Sequence, residues 1–138
     1  MSPRAQPLIA VNDVKKSSAW YRRLLDARAT SIDMQSDHDH LYDRIVHPDS
    51  ILLQLHRWDE EEHPNLVRDA AGTKAGHGVL LWFEVDDFDA AVKRAKEMGA
   101  EVVRDVHRNP PPQHWELWLR DPDGYVVVVV SPDGTAPG

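Results

Sequence analysis

The chain carries eight histidines and no cysteine. Thiolate metal sites, thiol nucleophiles and disulfides are therefore excluded, and imidazole and carboxylate remain as the chemistry-bearing groups. Asp37-His38-Asp39-His40 alternates metal donors, but between two strand-like segments it reads as a solvated turn. His56, His77, His107 and His114 lie in or beside strand-like runs. Glu116 follows His114 by two residues and Trp118 follows Glu116 by two, so strand alternation places all three on one face. A buried, unpaired carboxylate is expensive. Glu116 must therefore sit at a rim or be paired with His114, His56 or a cationic ligand. His56, His114 and Glu116 together could hold a displaced metal ion or perform acid–base chemistry, although nothing in their spacing demands it. No nucleophile constellation is visible.

These groups need elements to position them. With 138 residues, 41% hydrophobic and 28% charged, the chain has the composition of one ordinary globular domain. The net charge of −7 argues against a nucleic-acid partner, which would require a basic surface. No apolar run reaches membrane-spanning length, and Met1–Gln6 does not lead into a secretion signal, so a cytoplasmic protein is expected.

A repeat organises the chain. 11-VNDV-14 and 85-VDDF-88 each follow a short apolar strand and open a helical pattern, at an offset of 85 − 11 = 74. Val14, Ser18, Tyr21, Leu24 and Leu25 share one helical face; Phe88, Ala91, Val92, Ala95 and Met98 share another. Asn12 or Asp13 and Asp86 or Asp87 suit the N-caps, Gly99 suits a left-handed terminus, and Asp26 fills the matching place less well. Strands are predicted near 28–35, 39–47 and 50–58, and again near 100–107, 113–120 and 125–131. The expected organisation is an α+β fold of two βαβββ modules, 5–58 and 77–131, joined by a linker loop at 59–76 and followed by a flexible tail at 132–138.

The last hairpin, 118-WLRDPDGYVVVVV-130, turns through Asp121-Pro122-Asp123-Gly124. A strand–DPDG–strand hairpin closing a paired βαβββ chain resembles the vicinal oxygen chelate superfamily. That group includes glyoxalase I, extradiol dioxygenases and bleomycin-binding resistance proteins. The resemblance implies mixed sheets curled around an open cavity. It also implies, in the metalloenzymes, His and Glu ligands on the first and last strands of each module. Here those positions fall at Gln6, Gln54, Leu80 and Val128, and two amides with two hydrocarbons cannot replace charged donors. Neither metal nor other cofactor is expected.

Alternation then gives the cavity lining that would bind a ligand: Gln6, Leu8, Gln54 and His56 from the first module, and Leu80, Trp82, His114, Glu116, Trp118 and Val128 from the second. Two indoles, aliphatic groups and a few polar groups describe an apolar pocket for a small organic molecule. The expected protein is a homodimer that binds such a molecule without metal. The rival expectations are a lyase, isomerase or dioxygenase using the displaced His/Glu site, and a regulatory module. Two loops, the acidic Asp59–Glu62 and Pro110-Pro111-Pro112, could gate the pocket.

Overall fold

In a computed structural model that describes residues 2–30, 41–58, 64–68, 75–109 and 113–135, the chain divides into two compact units, Met1–Thr73 and Lys74–Gly138. In the first unit, strand β1 (Leu8–Val11) leads to helix α1 (Val14–Leu25). Strands β2 (Arg28–Ala29), β3 (Tyr42–Val46) and β4 (Ile51–Arg57) follow, and then a short 3-10 turn at Pro64–Leu66. In the second unit, β5 (Leu80–Glu84) leads to α2 (Phe88–Glu97) and then to β6 (Glu101–Asn109), β7 (His114–Arg120) and β8 (Val126–Val130). Each unit is one four-stranded mixed sheet, ordered β1-β4-β3-β2 and β5-β8-β7-β6, with one parallel pair apiece. These are the two βαβββ modules of an α+β fold.

The helices start where their caps dictate. Asp13 accepts from the Lys16 amide and Asp87 from the Ala90 amide, both at 3.1 Å, each satisfying an orphan donor of the first turn. Val14, Ser17, Ser18, Tyr21, Leu24 and Leu25 are the buried face of α1. That face covers the first sheet, whose inward residues Ile45, Leu53 and Leu55 are fully buried. In α2 the buried face is Phe88, Ala91 and Ala95. Asp26 takes the left-handed conformation (φ 51°) that ends α1, and Gly99 (φ 64°) does so after α2. The final hairpin is locked by Asp121, whose Oδ1 accepts from the amides of Asp123 and Tyr125, each at 2.9 Å.

The sheet registers make the repeat quantitative. Leu8 stands beside Gln54 and Gln54 beside Arg44; Trp82 stands beside Val128 and Val128 beside Trp118. Every pair is related by the same offset: 82 − 8 = 128 − 54 = 118 − 44 = 74. Tyr42 is likewise the mate of Glu116, and His56 of Val130.

Some boundaries differ from the sequence reading. Gln6 precedes β1 rather than opening it, β3 is described over Tyr42–Val46, with 39 and 40 of the expected strand outside the described residues, and β6 runs on to Asn109. The predicted strand at 28–35 is described only over Arg28–Ala29. The Asp37–His40 turn, the Asp59–Glu62 loop and Pro110–Pro112 lie outside the described residues. Of the expected tail, residues 132–135 form a turn in which the Thr135 amide donates to the Pro132 carbonyl at 3.2 Å. Among the described residues, no helix is long and apolar enough to cross a membrane.

Candidate functional site

Strand β7 gathers the polar chemistry of the second unit. Glu116, 2% exposed, accepts four hydrogen bonds, two on each carboxylate oxygen. Oε1 takes the Trp118 indole N–H at 2.9 Å and His107 Nε2 at 3.2 Å. Oε2 takes Asn109 Nδ2 and His114 Nε2, each at 2.7 Å. Burial pushes this carboxyl up. The bonds from Trp118, Asn109 and His114, with the charge on His107, outweigh it and hold the group at about 2.

His114, 3% exposed, is held from both sides. Its Nε2 faces Glu116, and its Nδ1 faces Asp133 Oδ1 at 3.1 Å. Ionised carboxylates only accept, so both ring nitrogens carry protons and the ring is an imidazolium. Its pKa is accordingly raised: burial pulls it down, but bonding and charge from Glu116 and Asp133 prevail. The Trp82 ring packs edge-on against His114 at 5.8 Å between centroids. Trp82 is 47% exposed and its strand neighbour Leu80 is 44% exposed. The result is an aromatic surface (Trp82, with half-buried Trp118 two strands away) whose supporting side chains are all locked by hydrogen bonds.

Sequence reasoning brought His114, Glu116 and Trp118 together correctly on one face, and missed His107, Asn109 and Asp133. His107 and Asn109 reach Glu116 because β6 carries two register shifts, one between Val102 and Arg104 and one between Arg104 and His107. Extending the Glu101–Arg120 pairing without them would set Asp105 opposite Glu116, two like charges face to face. The bulges put His107 there instead. No pattern of hydrophobicity signals such a bulge.

In the first unit the corresponding face holds Tyr42, Arg44, Gln54 and His56. The Tyr42 hydroxyl donates to Gln54 Oε1 and accepts from Arg44 Nε at 2.9 Å. Gln54 Nε2 donates in turn to the Gln6 carbonyl at 2.9 Å. The Arg44 guanidinium lies 5.6 Å from the Tyr42 ring centroid, and the Tyr42 and His56 rings are 6.3 Å apart. Gln6 thus contributes its backbone, while Leu8 stands exposed beside Gln54. His56 turns Nδ1 toward the Arg57 carbonyl at 2.6 Å.

The positions where relatives would chelate a cation do not fit one. In the first unit the Gln54 amide is engaged at both ends and the Gln6 side chain lies exposed before the strand. In the second, Leu80 and fully buried Val128 are hydrocarbons. A divalent ion of this kind needs imidazole or carboxylate donors. Among the described residues, no group of three or more His, Asp or Glu side chains is arranged to hold a metal ion.

Residues 5–129 match the profile of the Glyoxalase/Bleomycin resistance protein/Dioxygenase superfamily. Among curated proteins none matches. Several solved structures are similar throughout. TioX from Micromonospora sp. ML1 aligns with a TM-score of 0.71 at 17% identity, covering 94% of this chain and 98% of that one. Lactoylglutathione lyase from Agrobacterium tumefaciens aligns at 0.68 and 19%, covering 96% and 95%. An integron cassette protein from Vibrio cholerae aligns at 0.68 and 18%, covering 96% and 97%. At these identities the likeness is one of fold.

Proposed function

The chain belongs to the Glyoxalase/Bleomycin resistance protein/Dioxygenase superfamily, and from that premise we propose that it binds a small, largely apolar organic molecule on the aromatic face of its second unit, without the metal used by the superfamily's metalloenzymes. Trp82, Leu80 and Trp118 are the contact surface; His114 and Glu116 stand behind it as supports. The observation that carries this reading is the saturation of Glu116. A carboxylate with two donors on each oxygen has no lone pair left to offer a cation or a substrate proton. Held at about 2, it is also a poor general base near neutral pH. What those bonds do provide is a fixed orientation for the Trp118 indole and the His114 ring, and with them for Trp82. Such preorganisation lowers the ordering cost of binding. A neutral aromatic ring stacking on Trp82 would gain from both its area and its π-face.

The test uses the indole N–H signals of ¹⁵N-labelled protein, with 2-naphthol and a panel of neutral aromatic fragments as probes. The Trp82 and Trp118 signals should shift saturably, and Trp82→Ala or Trp118→Ala should weaken binding by roughly 1–3 kcal/mol. If both variants bind as tightly as the parent, or if no probe moves either signal, the reading fails.

A further inference from the structure

We propose that Arg44 anchors a binding site for the carboxylate of a small organic molecule, on the face of the first sheet that it shares with Tyr42, Gln54 and His56. This concerns other residues in the other unit and does not rest on the reading of Trp82 and Trp118.

The hydrogen bonds around Arg44 have a definite direction. Gln54 Oε1 can only accept, so Tyr42 donates to it and must accept from Arg44 Nε. Gln54 then donates to the Gln6 carbonyl, which ends the chain. This holds the guanidinium by one edge and leaves its end-on pair of Nη groups, which hydrogen-bond to no described residue. That pair has the spacing of a carboxylate's two oxygens. The register places Leu8, Ala10, Tyr42, Gln54 and His56 around Arg44 on this face, and none is acidic. The cation is half-buried and no carboxylate at these positions compensates it.

The repeat identifies the missing group. Tyr42 occupies the place of Glu116, and Arg44 that of Trp118, which donates to Glu116. The second unit supplies its own anion to gather its donors; among the described residues the first keeps one such donor, Arg44, and has neutral Tyr42 in the anion's place. A ligand carboxylate would supply the anion. Exposed Leu8 beside Gln54 and the rings of Tyr42 and His56 give its carbon skeleton an apolar surface. Because the guanidinium is already oriented, little rotamer freedom is lost on binding.

Benzoate is the probe, titrated into ¹⁵N-labelled protein while the Arg44 Nε–H and Gln54 side-chain amide signals are followed. Saturable shifts are expected in the millimolar range that suits so small a ligand. Benzamide, alike in shape but uncharged, should bind about tenfold more weakly. Arg44→Lys keeps the charge and loses the fork, and should also weaken benzoate binding about tenfold. Arg28→Gln, which removes an exposed cation paired with Asp49 in the same unit, should leave it unchanged. The proposal is overturned if the parent shows no saturable shift, if benzamide binds as well as benzoate, if Arg44→Lys binds like the parent, or if Arg28→Gln weakens binding as much as Arg44→Lys does.

Discussion

At Glu116 four side chains converge on one buried carboxylate. It joins β7 to β6 through His107 and Asn109, and it orients the two side chains, His114 and Trp118, that frame the aromatic surface. Glu116→Gln would turn an amide N–H toward donors, leaving buried groups unsatisfied, and is expected to destabilise the fold by about 3 kcal/mol. Denaturant midpoints measure this directly. The pH dependence follows from the two pKa directions. A carboxyl lowered from 4.5 to about 2 stabilises the fold above 4.5 and loses that contribution as pH falls toward 2. A histidine raised above 6.5 contributes in full below 6.5 and loses its contribution as pH rises through the raised value. Stability should therefore peak between about 4.5 and 6.5, and thermal unfolding of Glu116→Gln should show a flattened acid limb. An acid limb as steep as the parent's would mean that the carboxylate is not held as described. The pairing of Glu116 was anticipated from the cost of burying a lone carboxylate. Its partners His107 and Asn109 were not, because bulges deliver them, nor was Asp133, the second partner of His114, which lies in a turn beyond the last strand.

At the scale of elements, alternation along β7 and the caps of both helices were legible in the sequence, since each depends on neighbours only a few residues away. The edge strand β6 was expected near 100–107, but its register shifts were not. Its two register shifts and its charged residues Glu101, Arg104, Asp105 and Arg108 blunt an edge that also exposes Val102, Val103 and Val106. That combination disfavours strand-to-strand association through β6. Helix α1 carries an opposite kind of compromise. Ser17 is fully buried and its hydroxyl has no partner among the described residues. Ser17→Ala removes an unsatisfied group and improves helix propensity, so it should stabilise the protein by about 1 kcal/mol. A measured loss of stability would show that the hydroxyl is bonded.

For the whole molecule, one offset of 74 residues ties the two units together as copies, and it was readable from the two strand–helix junctions alone. Carried on to β3, the same offset would have pointed to Tyr42 and Arg44 as mates of Glu116 and Trp118. The copies have diverged in chemistry while keeping their register: the second places the anion Glu116 where the first places Tyr42, beside the cation Arg44. We also propose a two-fold homodimer, since both four-stranded sheets leave open edges, with Val79 exposed beside that of β5. Sedimentation should give twice the chain mass at micromolar concentration, and a monomer would remove that part. Ligand binding on the aromatic face without metal can be read out in one titration. Untagged protein is treated with EDTA, and 2-naphthol binding is followed at the Trp82 and Trp118 indole signals before and after addition of Zn²⁺, Ni²⁺, Mn²⁺ or Fe²⁺. The same saturable shifts and the same affinity are expected throughout. Binding that is lost in EDTA and restored by one of these ions would contradict metal-free binding.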